Sequence, residues 1–181
     1  MGKNIVIFST SLRPGSNSQT LAQAFAEGAA AAGHSVTIET LSGKTLQFCR
    51  GCLGCIRTHR CCIEDDAAAL IQAMARADVL VFATPIYYYE MSGQLKTLLD
   101  RSNPLYGTDY RFRDVYFLAT AAEEGDDVWA RAVGGLEGWI ACFDQARLAG
   151  VVFAGGVNAP REIENHPALQ RASSMGASIE A

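Results

Sequence analysis

Uninterrupted apolar runs alternate along the chain with stretches whose apolar positions recur at helical spacing. Ile5-Val6-Ile7-Phe8, Val79-Leu80-Val81-Phe82-Ala83 and Val115-Tyr116-Phe117-Leu118-Ala119 are continuous, with Val151-Val152-Phe153 a shorter run of the same kind. That is the pattern of strands covered on both faces. Val36-Thr37-Ile38-Glu39-Thr40-Leu41 alternates instead, which predicts a strand with one poorer face, at or near a sheet edge. Leu21, Ala22, Phe25, Ala26 and Ala29 predict a helix from Gln19 to Gly33, the glycine standing just past its end. Leu70, Ile71 and Met74 form the stripe of a helix capped by Asp65 or Asp66 and running through Ala77. Ser92 caps a helix carrying Leu95, Leu98 and Leu99, broken by Asn103-Pro104 and Gly107. Trp129, Val133, Leu136 and Ile140 predict a helix from about Asp127 to Phe143, and Pro167 opens a last one through Ile179.

Five strands alternating with five helices require parallel pairing with right-handed crossovers, hence helices on both faces of one sheet. The expected architecture is an α/β three-layer, doubly wound sandwich with strand order 2-1-3-4-5. Its ligand crevice lies where the first and third strands part. One domain is expected over residues 1–181, with a cysteine-rich loop at 47–64.

Composition narrows the function classes. At 49% hydrophobic and 19% charged residues the chain is not disordered, and no apolar stretch reaches the length of a membrane span. The net charge of -4 comes with scattered basic residues, which argues against nucleic acid as a partner. Met1-Gly2-Lys3-Asn4 and the short run after it lack the core and cleavage site of a signal peptide, so a cytoplasmic location is expected.

The loops at the carboxyl ends of the strands carry the candidate chemistry. After the first strand, Ser9-Thr10-Ser11-Leu12-Arg13-Pro14-Gly15-Ser16-Asn17-Ser18 delivers hydroxyls, an amide and a guanidinium to a helix N-terminus. There the free amides and the positive end of the dipole favour an anion. A phosphate monoester fits, with Ser11, Ser16, Asn17 and Ser18 donating hydrogen bonds and Arg13 adding a charge-assisted one; a capped, solvent-exposed turn is the plainer reading. No G-x-G-x-x-G follows the strand, and Gly43-Lys44-Thr45 lacks the earlier glycine of a P-loop, so it reads as a turn. After the third strand, Thr84-Pro85-Ile86-Tyr87-Tyr88-Tyr89-Glu90-Met91 places three tyrosines together. They suit the flanks of a flat aromatic ligand or an interface between proteins. After the fourth, Thr120-Ala121-Ala122-Glu123-Glu124-Gly125 lets backbone amides approach a ligand edge.

Five of the six cysteines lie between Cys49 and Cys62. Cys49, Cys52, Cys55 and Cys61 follow C-x2-C-x2-C-x5-C, whose first intervals match three corners of a bacterial ferredoxin cluster, so a [4Fe-4S] site is one reading. Buried thiols or a redox-active pair are the others; zinc fits less well, because ribbons present two separated C-x2-C knuckles. Cys62 is a spare thiol beside Cys61, and Cys142 reads as core within a helix. The histidines carry no clear chemistry, and Asp65-Asp66 reads as a helix cap rather than as an acid–base pair.

Taken together, Ser11 to Ser18, the Cys49-x2-Cys52-x2-Cys55 run through Asp65-Asp66, and Thr84 to Tyr89 leading through Gly93 and Lys96 to Asp100-Arg101 resemble the flavodoxin-like NAD(P)H-dependent FMN reductase and iron-sulfur flavoprotein family. Thr10 and Leu12 depart from its usual glycine and proline without removing an anion donor. The resemblance implies that the first loop binds the FMN phosphate, with Thr84, Pro85, Ile86, Tyr87 and Tyr88 along the ribityl chain and ring and Thr120 and Ala121 near the ring. It also implies hydride transfer from NAD(P)H to the flavin, then onward transfer to a quinone, flavin, metal or protein acceptor, in a homodimer or homotetramer. No side chain is expected to act as a catalytic acid or base, because the cofactor carries the chemistry. A second reading is an FMN electron carrier partnering ferredoxin-like proteins, with Glu90, Glu123, Glu124, Asp126 and Asp127 as its acidic docking rim; a third is a redox sensor built on the cysteine loop.

Overall fold

The continuous apolar runs become the middle of one parallel sheet. The computed structural model, which describes residues 2–181, contains β1 (Asn4–Ser9), β2 (Ser35–Thr40), β3 (Val79–Tyr87), β4 (Glu90–Met91), β5 (Asp114–Thr120) and β6 (Arg147–Ala154). The order β2-β1-β3-β5-β6 is parallel throughout, which is the expected 2-1-3-4-5 arrangement of the five long strands. The two-residue β4 adds an antiparallel hairpin to the end of β3. Side chains alternate across a strand, so each run feeds two cores. Ile5, Ile7, Val79 and Val81 meet Leu21 and Phe25 of α1 (Asn17–Ala31), together with Ala168 and Ala172 of α6 (Pro167–Ala177). Val6, Phe8, Leu80 and Phe82 meet the opposite layer: α3 (Ala67–Arg76), α4 (Gly93–Arg101) and α5 (Asp127–Ile140). The strand with the alternating pattern, β2, lies at the edge and is only half-buried.

The differences from the sequence reading are local. A short helix, α2 (Gly54–Thr58), sits inside the cysteine loop between Leu53 and His59, both in the left-handed region at φ 57° and 50°. Ser16 caps α1, so that helix starts at Asn17 rather than Gln19. The last predicted turn of α5 is absent, and Cys142, expected in the core, is exposed with its thiol near the carbonyl of Gly138. Phe143 still packs, 5.2 Å from Phe112, because tertiary contacts rather than helical continuation place it.

On the α1–α6 face two glycines allow the backbones to touch. A Cβ at Gly28 would collide with the Ser173 carbonyl, and one at Gly176 with the Phe25 carbonyl. Gly28→Ala is therefore expected to destabilise by about 1–3 kcal/mol, although alanine is the better helix former by about 1 kcal/mol. A thermal melt that rises or stays unchanged would contradict this close approach.

Candidate functional site

At the switch point, where β1 and β3 diverge toward opposite neighbours, the loops after β1, β5 and β6 and the last residues of β3, which runs on through Tyr87 where a loop was expected from Thr84, enclose a cleft of about 160 Å³. Ser11, Arg13, Ser16 and Asn17 form one wall; Pro85, Ile86 and Tyr87 the second; Thr120 and Ala121 the third. Three loops separate in sequence thus converge where the open-sheet rule places a ligand. The fourth wall, Val157 and Asn158 after β6, was not anticipated. The signal was present, since the same carboxyl-edge rule applies to the loop opened by Gly155-Gly156.

The floor is the start of α1. The Ser16 hydroxyl accepts from the Gln19 amide at 3.3 Å, and an α-helix leaves its first amides without intrahelical acceptors. The amides of Asn17 and Ser18 are in that position, next to the positive end of the dipole. The Arg13 guanidinium donates to the Asn158 carbonyl at 2.7 Å and is held over this floor while remaining exposed. Nearby, the Glu162 carboxylate accepts from the amides of Asn158 and Ala159 at 2.6 and 2.7 Å. Those two bonds, then Arg13, hold its pKa below the ordinary value. The Ser9 hydroxyl, at the last position of β1, is buried without a hydrogen-bond partner.

Several predicted side chains have other occupations. The Asn17 amide donates to the Ala159 carbonyl at 2.9 Å and accepts from the Ile163 amide at 3.3 Å, so it chiefly ties the β6 loop to α1. Ser18 lies behind the floor, buried, with its hydroxyl 3.0 Å from that of Ser16. Thr84 is buried too; it donates to the Pro85 carbonyl and accepts from the Ser92 amide. It shapes the loop instead of lining the cleft. Tyr88 is fully exposed and belongs to an adjoining recess of about 260 Å³, which shares Ile86, Ala121 and Ala122 with the cleft.

Tyr88 and Tyr89 form the two-residue turn between β3 and β4, with φ 52° and 64°. Both stand where glycine or asparagine is usual. Tyr89 is pinned by its hydroxyl donating to the Glu123 carboxylate at 2.7 Å, with Arg131 6.0 Å from its ring centre. The hydrogen bond to Glu123 and that residue's charge push the phenol pKa up. The hairpin is thereby fastened to the β5 loop across the recess. Because Tyr88 makes no buried contact, Tyr88→Gly should relieve left-handed strain and stabilise by about 0.5–1 kcal/mol net of the added chain entropy. A loss of stability in urea unfolding would show that the exposed ring contributes to the fold.

The cysteine loop lies over the far end of α4. Cys49, Cys52, Cys55, Cys61 and Cys62 all line one recess beside Arg101, with room for about 20 Å³, roughly one water. Among the described residues no three His, Cys, Asp or Glu side chains stand in ligand geometry for a metal ion. The expected ligands are therefore neighbours that have not converged. Cys55 is buried, Cys61 half-buried, and Cys49, Cys52 and Cys62 are exposed. The amide of Gly54 and the Cys62 thiol lower the Cys52 pKa, whereas burial raises that of Cys55.

Beneath the thiols, Arg101 and Asp65 form a two-pronged ion pair at 2.7 and 2.8 Å, with side chains 0% and 2% exposed. Arg101 also donates to the carbonyls of Gln47 and Ile63, and Asp65 accepts from the amides of Gln47 and Ala67. Both ends of the cysteine loop are thus stapled to α4. Asp65, expected as a helix cap, does reach the Ala67 amide, but its main partner is Arg101. Burial opposes ionisation of this carboxyl, yet the guanidinium and the two amides outweigh it and hold the pKa below the ordinary value.

The sequence pattern of a family described as NADPH-dependent FMN reductase matches residues 3–156. An iron-sulfur flavoprotein of Methanocaldococcus jannaschii is 34% identical over 101 residues, covering 56% of this chain and 52% of the relative. An iron-sulfur flavoprotein of Methanosarcina thermophila is 32% identical over 94 residues, 52% of this chain and 49% of its own. In these alignments the chain spans about half the length of the curated relatives it matches. The fold is shared with an NAD(P)H:quinone oxidoreductase from Methanothermobacter marburgensis (TM-score 0.73, 19% identity, 98% of this chain and 96% of the other). An azoreductase from Bacillus anthracis also shares it (TM-score 0.74, 15% identity, 98% and 100%).

Proposed function

This chain belongs to the NADPH-dependent FMN reductase family, and we propose that it is an FMN-dependent oxidoreductase drawing electrons from NAD(P)H. The observation that carries the proposal is the cleft itself: an anion-favouring helix start, an aromatic wall and small-residue loops meet at the sheet's switch point. The donor set fits a phosphate monoester. Ser11, Ser16, Arg13 and the free amides of Asn17 and Ser18 hold the phosphate, with the Ser18 hydroxyl supporting Ser16 from behind and Thr84 shaping the Pro85 segment through the Ser92 amide. The ribityl chain follows Pro85, and the ring lies along Ile86, Tyr87, Thr120 and Ala121 toward the recess beside Tyr88. Bound there, FMN would supply two-electron acceptance from a reduced nicotinamide and electron delivery one or two at a time. The protein's part is orientation and access; no catalytic acid or base is assigned. The acceptor belongs to the quinone, flavin, metal or protein classes.

We further propose that Cys49, Cys52, Cys55 and Cys61 hold a [4Fe-4S] cluster. Their gathering on one recess and the likeness to iron-sulfur flavoproteins support this. Exposed Phe48, Tyr88 and Tyr106 suit association into a homodimer or homotetramer. Among the described residues no helix is long and apolar enough to cross a membrane. The electron-carrier reading draws on Glu123 at the recess and the acidic residues near it. Anaerobic stopped-flow spectroscopy separates the two: NAD(P)H should bleach the flavin band promptly, whereas bleaching by reduced ferredoxin alone would favour the carrier. A colourless preparation that takes up no added FMN would defeat both.

A further inference from the structure

Four thiols suffice for the proposed cluster, and the loop carries five. The sulfurs of Cys52 and Cys62 are 3.7 Å apart, in hydrogen-bond contact, and both residues are exposed. Cys55, by contrast, is buried, and Cys61 is half-buried.

We propose that Cys52 and Cys62 form a reversible intramolecular disulfide that withdraws Cys52 from the iron-ligating set, so that oxidation of the loop and cluster assembly exclude one another. The bond itself rests on the geometry alone; its effect on iron rests on the cluster reading above.

The backbone prepares the pair. Gly51 and Leu53 are both left-handed, at φ 63° and 57°, and they turn the chain on either side of Cys52. The Arg101–Asp65 staple grips the loop at Gln47 and Ile63, so little further chain ordering is needed to keep the sulfurs adjacent. Closing the bond takes the sulfurs from 3.7 Å to a covalent length of about 2.05 Å, a movement within reach of side-chain rotation.

The oxidant is a small-molecule disulfide of the glutathione class. One protein thiolate attacks a sulfur of the external disulfide and expels a thiolate. The second protein thiolate then attacks the mixed disulfide and expels the other. Two protein thiols and one external disulfide thus become one protein disulfide and two small thiols, and the two electrons reside on the released thiols.

The test uses the full chain, stripped of iron by chelation and equilibrated with oxidised or reduced glutathione. Free thiols are counted, and the linked peptides are mapped by fragmentation. The expected result is one cross-link between Cys52 and Cys62, lost in Cys62→Ser and kept in Cys61→Ser. A cross-link that survives Cys62→Ser, or glutathione adducts with no cross-link, would overturn the proposal. A preformed [4Fe-4S] cluster carrying labile non-thiol ligands is then supplied anaerobically, without free sulfide or any other reductant. Oxidised wild type that carries the mapped cross-link and no glutathione adduct should take up about tenfold less iron than the reduced form, while reduced Cys62→Ser should load as well as reduced wild type. Equal loading of oxidised and reduced wild type would overturn the exclusion. If no form takes up iron, even reduced, the cluster reading and the exclusion both fall, while peptide mapping still decides the disulfide.

Discussion

Replacing Arg101 by methionine is expected to lower the unfolding free energy by about 3–5 kcal/mol, because it leaves the Asp65 carboxylate buried without its counter-charge. The volume is roughly kept, so the loss reports the ion pair more than a cavity. It should also free residues 47–63, since Arg101 donates to both Gln47 and Ile63; faster proteolysis at Arg50, Arg57 and Arg60 is the companion observation. Adding Asp65→Asn should recover part of the loss by removing the orphaned charge. The pH dependence follows from the depressed pKa of Asp65. In the wild type its contribution is complete above the ordinary value of 3.8 and is lost as pH falls through the lower folded value. In Arg101→Met the same carboxyl gains by protonation, so the gap between the two proteins should narrow on acidification. An equal gap at pH 7 and pH 3 in urea titrations would mean that Arg101 acts by packing alone.

Ser16→Asp is expected to weaken FMN binding by about two orders of magnitude while leaving the fold intact. Aspartate is as good a helix cap as serine, so the bond to the Gln19 amide survives. Its carboxylate, however, would stand where the phosphate is proposed to lie, and like charges at that range cost several kcal/mol. Riboflavin, which lacks the phosphate, is the control and should bind the variant and the wild type alike. Fluorescence titrations showing equal losses for both ligands would displace the phosphate from the start of α1.

The architecture was legible because strand and helix periods differ and each apolar run is continuous. Ile5 to Phe8 and Val79 to Ala83 have the pattern of doubly covered strands, whereas the order across the sheet came from the commonest arrangement of this fold class and not from the alternation itself. The walls of the cleft were legible for a similar reason, since strand ends are where open sheets receive ligands. What the chain order hid was how polar side chains spend their hydrogen bonds. Asn17 and Thr84 look like donors to a ligand in a linear reading, yet each is engaged by residues far along the chain: Ala159 and Ile163 for the first, Ser92 for the second. The Arg101–Asp65 pair was equally opaque, because an acid before a helix is ordinarily a cap and nothing local marks a partner 36 residues away. Cys142 erred in the other direction: the helix stopped short, and a small apolar residue found itself in solvent.

The clip between Asn17 and the chain beyond β6 has a further reach. Val157 to Ile163 lie past the segment matched by the family pattern, which ends at residue 156, yet they supply the fourth wall and grip both Arg13 and the opening turn of α1. The mouth of the cleft is therefore divided between the part of the chain that the family pattern covers and a flap beyond it. Exchanging that flap among related proteins would alter which molecules are admitted, and how tightly they are held, with the sheet beneath undisturbed.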